Sequence, residues 1–175
     1  MSKEATALYK LLVKNDFQFD DDFMKWKLRP AKEILKSNKD HCYGTSYLAY
    51  RTIPGAKRLY LIETRRLLND KDRKKLEAKR IPRDLFSPNS NTHALTYFER
   101  NNHFYWFEYS FGKFAGVHKY KSFDEMADDI VKKWKKSGVC RLKHGIMTRL
   151  GATKIGINVI QFTNIGCVSK IVREY

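Results

Sequence analysis

A chain of 175 residues with 42% hydrophobic and 14% aromatic side chains holds enough apolar material for one folded domain with a buried core. Its 10 Tyr, 11 Phe and 3 Trp exclude a wholly disordered chain, and no apolar run approaches the ~20 residues of a membrane-spanning helix. Lys+Arg 35 against Asp+Glu 19 gives a formal net charge of +16, and an odd count of 3 cysteines does not make a disulfide framework.

No apolar stretch follows Met1-Ser2-Lys3-Glu4, so no signal peptide is read and a reducing, cytoplasmic setting without a membrane partner is expected. The first element is a helix over 4–14 with Leu8, Leu11 and Leu12 on one stripe. Trp26, Leu28, Ile34 and Leu35 suggest a second short helical piece around 30–36, with Pro30 suited to its first turn. Asp40 then reads as an N-cap for a helix over 42–52, ended by Pro54-Gly55. A short strand follows at 59–63, and a basic surface helix over 70–80 is closed by Ile81-Pro82.

The strongest local pattern is a hairpin. Residues 92–98 form one strand, Glu99-Arg100-Asn101-Asn102 the turn and 104–110 the return, with apolar side chains on both faces as in central strands. Ser122 and Glu125 have capping-box spacing, and Phe123, Met126, Ile130 and Trp134 follow at helical spacing up to Gly138. Acids early in this helix and Lys132, Lys133, Lys135 and Lys136 late in it suit the helix dipole. Two β-branched runs, 155–163 and 168–172, read as strands with Gly166 in the turn between them. The order predicts a single α+β domain over 1–175: a helical segment at 1–36, a core at 37–135 and C-terminal strands at 136–175 that complete the sheet.

The positive charge is uneven. Nine basic residues stand between Arg65 and Arg83, among them Arg66, Lys71, Arg73, Lys74, Lys75, Lys79 and Arg80, and eight lie between Lys132 and Lys154 with no acid. Such a patch attracts nucleic acid or an acidic protein surface in a salt-sensitive way, and a solvated lysine-rich face is the plain alternative. No zinc-finger spacing, RNP-like strand or basic zipper supports a specific nucleic-acid module. There is likewise no CxxC, no HExxH and no phosphate-cradling glycine loop, so neither metal nor cofactor is expected.

Chemistry is concentrated in three residues. Cys42 stands in the first turn of its helix, where unpaired N–H groups and the dipole favour a thiolate and offer donors to an oxyanion. A buried core cysteine is the structural alternative. With Arg100-Asn101 as the central pair of the turn, His93 lies opposite Glu108, and any even slip of register keeps the two on one face. A carboxylate beside an imidazole fixes its tautomer and stabilises the imidazolium, which is the general-base arrangement a thiol nucleophile needs.

The order of a cysteine at a helix start, a histidine on a strand and an acid on the next strand resembles the transglutaminase-like and papain-like cysteine acyl-transfer superfamily. His41-Cys42-Tyr43-Gly44, Thr92-His93-Ala94 and Tyr105-Trp106-Phe107-Glu108 carry the likeness, and Gly116-Val117-His118-Lys119-Tyr120 before Ser122-Phe123-Asp124-Glu125 resembles bacterial members. The resemblance covers roughly residues 20–135. It implies a nucleophile helix packed on a central antiparallel sheet, a catalytic core at 37–135, a Cys42-His93-Glu108 triad, a thioester intermediate and a peptide or protein substrate. Two positions depart from the pattern: Lys36 stands where papain-like proteases carry a glutamine, and Glu108 where Asp or Asn is commoner. Asn38, four residues before Cys42, and Tyr43 are then the candidate oxyanion donors. A catalytically degenerate basic binding protein on the same scaffold is the alternative of a different class.

Overall fold

The computed structural model describes residues 2–19, 29–64, 66, 68–78 and 92–137, and the backbone of 156–164 and 167–174. Helix α1 spans Lys3–Lys14, and the Ser2 hydroxyl caps it by accepting from the Ala5 N–H. Its buried stripe is Ala5, Leu8 and Leu12. Leu11 is 42% exposed, because one residue turns a helix by about 100° and carries Leu11 off the stripe that Leu12 occupies. Helix α2 spans Ala31–Ser37, with Pro30 as its N-cap rather than inside its first turn. Asn38 closes it in the left-handed region (φ 53°), and the strands β1 (Gln18–Phe19) and β2 (Lys39–Asp40) then pair in parallel.

Helix α3 spans Cys42–Thr52, as the sequence predicts, and β3 spans Lys57–Thr64, longer at both ends than expected. Helix α4 covers Asp70–Glu77 and starts with a capping box made by Asn69 and Asp72. The Ile81-Pro82 stop and the Trp26 and Leu28 positions lie outside the described residues. Strands β4 (Thr92–Arg100) and β5 (His103–Glu108) form the hairpin, with Arg100 opposite His103. Asn101 and Asn102 are the central pair, both with positive φ (52° and 56°), rather than Arg100-Asn101. The physical reason is the twist of a two-residue hairpin turn, which needs two left-handed residues, a conformation asparagine tolerates and arginine does not favour.

A single 3-10 turn (Gly112–Phe114) leads into β6 (Gly116–Tyr120), antiparallel to β5 with Glu108 opposite Gly116. Helix α5 spans Phe123–Lys136. The Ser122 hydroxyl accepts from the Glu125 N–H (3.1 Å), but the Glu125 carboxylate reaches the Lys121 N–H (2.8 Å), so the box closes one residue earlier than its spacing predicts. Strands β7 (Gly156–Asn164) and β8 (Cys167–Glu174) are an antiparallel pair. The architecture is α+β.

Contacts divide the chain into two units, Met1–Arg58 with Ala94–Met126, and Leu59–His93 with Ala127–Tyr175. In the first, the strand order is β6-β5-β4, and α1, α2 and α3 supply Leu8, Leu12, Ile34 and Leu48 to a core shared with Phe98 and Phe107. Each such side chain contributes about 1.5–3 kcal/mol on burial. In the second, the order is β3-β7-β8, and Leu59, Leu61, Leu76 and Ile130 are buried. Among the described residues, no helix is long and apolar enough to cross a membrane.

Candidate functional site

The start of α3 is built by four consecutive decisions of the chain. His41, not Asp40, is the N-cap: its ring Nδ1 accepts from the Tyr43 N–H (3.1 Å). An accepting Nδ1 leaves the proton of the neutral ring on Nε2, which lies 3.5 Å from Asp40 Oδ1. Asp40 is displaced from the cap because its carboxylate has other work. Oδ1 accepts the His41 N–H (2.8 Å), and Oδ2 accepts from Arg29 Nη2 (2.8 Å) and Nε (3.3 Å). Arg29 also donates to the Ser37 hydroxyl (2.9 Å) and to the Lys39 carbonyl, so one guanidinium ties the end of α2 to the start of α3.

That carboxylate rests against the first turn of α3 at Gly44. A Cβ there would sit 2.2 Å from Asp40 Cγ and 2.4 Å from both oxygens. Glycine is therefore the residue that lets a buried carboxylate lie on the helix. Cys42 is the first residue of α3, 4% exposed, in a first turn with no acidic residue. The Thr45 N–H closes the first helical hydrogen bond to the His41 carbonyl (3.0 Å).

One turn further on, α3 is fixed to β4 by polar contacts inside the core. Ser46 Oγ donates to the Leu95 carbonyl (3.1 Å), and Thr96 Oγ1 donates to the Ser46 carbonyl (2.8 Å). The buried Arg58 donates from Nε to Ser46 Oγ (3.2 Å) and from Nη2 to the Tyr43 carbonyl (3.2 Å). Directional bonds of this kind set the rotation and height of α3 more sharply than apolar contact does.

Glu108 ends β5 and is buried. Its Oε1 accepts from the Ser110 N–H (2.8 Å) and the Ser110 hydroxyl (3.0 Å). The observed register pairs Thr96 with Phe107 and Tyr97 with Trp106, a slip of two residues from the register expected with Arg100-Asn101 at the turn. An even slip keeps parity: Glu108 shares a side of β5 with Trp106, and His93 shares a side of β4 with Tyr97. His93 is buried in the second unit, where its ring stacks on Trp134 of α5 (centroids 5.7 Å apart, 25° between planes). Trp134 Nε1 in turn donates to Oε1 of the buried Glu63 on β3 (2.8 Å). His118 lies on β6 and stacks on Trp106 at 4.8 Å.

Asn38 Nδ2 donates to the Asn15 carbonyl, and the Tyr43 N–H goes to His41. Of the basic residues, Lys71, Lys74 and Lys75 of α4 wall a shallow depression of about 400 Å³ with Ala78. Arg66 pairs with Asp72, Nη2 donating to Oδ1 at 3.0 Å, and Lys133 pairs with Asp129. Arg73 on α4 is half-buried, while Lys132, Lys135 and Lys136 are exposed on α5. Arg65, Lys79 and Arg80 lie outside the described residues. Among the described residues no three His, Cys, Asp or Glu side chains stand together as a metal site.

The first unit also holds a cavity of about 390 Å³. Tyr9 and Val13 of α1 form one wall, with Phe17, Phe19 and Tyr109 beside them. Asp40 and Thr45, which flank Cys42, and Ser110, which binds Glu108, complete the lining with Gly112 and Ala115. Comparison with protein-family models gives no match, and comparison with curated proteins gives none either.

Sequence reasoning missed the Arg29–Asp40–Gly44 contact, the Ser110 clamp on Glu108 and the part of α1 in the cavity. A signal existed only for the first: a glycine in the first turn of a helix costs stability against alanine and so marks a close approach.

Proposed function

We propose that this chain is a cysteine-dependent acyl-transfer enzyme of the transglutaminase-like and papain-like kind, acting on a peptide-type carbonyl in a cytoplasmic setting. Cys42 is the nucleophile, His93 the general base and Glu108 the residue that orients the imidazole. The sulfur attacks the carbonyl carbon as His93 takes the thiol proton. The tetrahedral oxyanion collapses to a thioester while His93 returns the proton to the leaving amine. Water or a second amine then releases the acyl group and regenerates the thiol. The observation that carries this reading is Cys42 at the first position of α3, at the positive end of the helix dipole and with no acid in that turn.

The test is the rate of alkylation by iodoacetamide, followed residue by residue by mass spectrometry. A free thiol is only a few per cent ionised at neutral pH, so an activated Cys42 reacts about tenfold or more faster than Cys140 or Cys167. His93→Ala lowers that rate by a similar factor. Equal rates for the three cysteines, or a His93→Ala rate equal to that of the wild type, refute the assignment.

A second reading is favoured by the depression between Lys71, Lys74 and Lys75, which suits a polyanion or an acidic protein surface. It predicts retention on single-stranded DNA that falls steeply with salt and is lost on reversing those three charges. Absence of retention at low salt removes it.

A further inference from the structure

We infer, building on the second reading above, that the unit Leu59–His93 with Ala127–Tyr175 binds the phosphate backbone of duplex nucleic acid without reading its sequence, through lysine faces on α4 and α5. This surface is separate from Cys42, which belongs to the other unit.

The positive charge of the chain is divided unequally. The second unit holds 19 Lys and Arg against 8 Asp and Glu, a formal +11 of the total +16 in fewer than half the residues. Apolar exposure divides the opposite way. Among the described residues, the exposed large apolar side chains Leu11, Val13, Phe19, Leu35 and Tyr50 all belong to the first unit.

The two helices repeat one pattern. Lysines stand at i, i+3 and i+4 on α4 (Lys71, Lys74, Lys75) and again on α5 (Lys132, Lys135, Lys136). That spacing gathers three ammonium groups on one side of a helix within about one turn. The opposite sides are buried, at Asp72 and Leu76 on α4 and at Ile130 and Trp134 on α5. Two acids of these helices are engaged by other groups: Asp72 by Arg66 and the Asn69 N–H, and Asp129 by Lys133.

The aromatic rings select the partner. Tyr60, His93 and Trp134, the described ring side chains of this unit, are all buried. They offer no platform on which the bases of a single strand could stack, so affinity comes from phosphates, which a duplex presents at higher density. An acidic protein is the poorer fit, since protein interfaces favour aromatic side chains and arginine and are depleted in lysine. A lysine ammonium is a point charge without the planar fork of arginine, and it suits phosphates in any sequence context.

The test is fluorescence polarisation of the full chain with a fluorescein-labelled DNA duplex of about 20 base pairs and with a single strand of equal length. Log affinity for the duplex falls linearly with log salt, and the duplex binds at least as tightly as the single strand. Changing Lys71, Lys74 and Lys75 together to Gln, which keeps helix propensity, weakens duplex binding about tenfold or more at low salt. It also reduces the salt slope by about 2–3, at about 0.9 per phosphate contact. The triple Gln variant of Lys132, Lys135 and Lys136 behaves alike. Lys10, Lys32 and Lys36 are exposed in the first unit, and changing them to Gln removes the same charge yet shifts affinity less than about threefold. No duplex binding at low salt, a single strand held about tenfold tighter than the duplex, or equal losses in all three triple variants overturns the inference. Polyglutamate bound at Lys71, Lys74 and Lys75 with the duplex unbound overturns it too, while the second reading stands with an acidic protein as partner. Cys42→Ala leaves duplex affinity unchanged; a loss there overturns the separation from the thiol.

Discussion

Gly44→Ala isolates the contact on which the start of α3 depends. On helix propensity alone, alanine is better than glycine by about 1 kcal/mol. The structure reverses that sign, because the new Cβ falls 2.2 Å from Asp40 Cγ and the carboxylate must leave. Its departure breaks the hydrogen bonds from the His41 N–H and the Arg29 guanidinium, charge-assisted bonds worth about 1.5–3 kcal/mol each. After subtracting the propensity gain and allowing for partial relaxation, a net destabilisation of about 2–4 kcal/mol is expected. For a chain of this size that is a fall in Tm of about 5–15 °C, read by circular dichroism or calorimetry. The control is the same substitution in an Asp40→Ala background, where space is open and Gly44→Ala becomes neutral or stabilising. A wild-type background in which Gly44→Ala raises Tm, or an equal cost in both backgrounds, refutes the reasoning.

Two further outcomes follow from the hairpin turn and from the start of α4. Asn102→Gly stabilises the hairpin by about 0.5–1 kcal/mol, because glycine pays no steric cost at positive φ, whereas Arg100→Gly destabilises it; a stabilising Arg100→Gly in urea titration contradicts the Asn101-Asn102 turn. Asp72 is held below its ordinary carboxyl value mainly by the hydrogen bond from Arg66 and also by the Asn69 N–H, against the upward push of burial. A folded-state pKa that is lowered means stability present above the unfolded value of about 3.9 and lost as the pH falls through the folded value. The Tm deficit of Asp72→Asn is therefore full at neutral pH and shrinks below about pH 4; a deficit that is constant down to pH 2 contradicts the pair.

The legible parts of this chain are those where one local rule acts alone. Residues 42–52 and 123–136 carry periodic apolar positions and end signals, and both are helices close to the expected bounds. The hairpin was readable from two aromatic runs around a polar turn, and its register was within reach too: a two-residue turn needs two left-handed residues, which favours Asn101-Asn102 over Arg100-Asn101. Asp40 illustrates competition. Local statistics favour it as a cap, yet Arg29, eleven residues earlier, recruits its carboxylate and leaves the cap to His41. Leu11 failed for a simpler reason: Leu8, Leu11 and Leu12 fit one broad face, but the buried arc is centred on Ala5, Leu8 and Leu12, and Leu11 lies roughly 90° round the helix from that centre. The cavity was illegible because its walls come from α1, β2, α3 and the segment after β5, and nothing in one sequence marks such a meeting.

The Tyr109 hydroxyl, shared between the Leu12 and Phe17 carbonyls, fastens the stretch that carries Tyr9, Val13, Phe17 and Phe19. One phenol thereby bolts the end of α1 and the turn after it to a segment more than ninety residues further along. The exit of the first helix is thus set less by its neighbours in sequence than by a side chain from the far end of the hairpin.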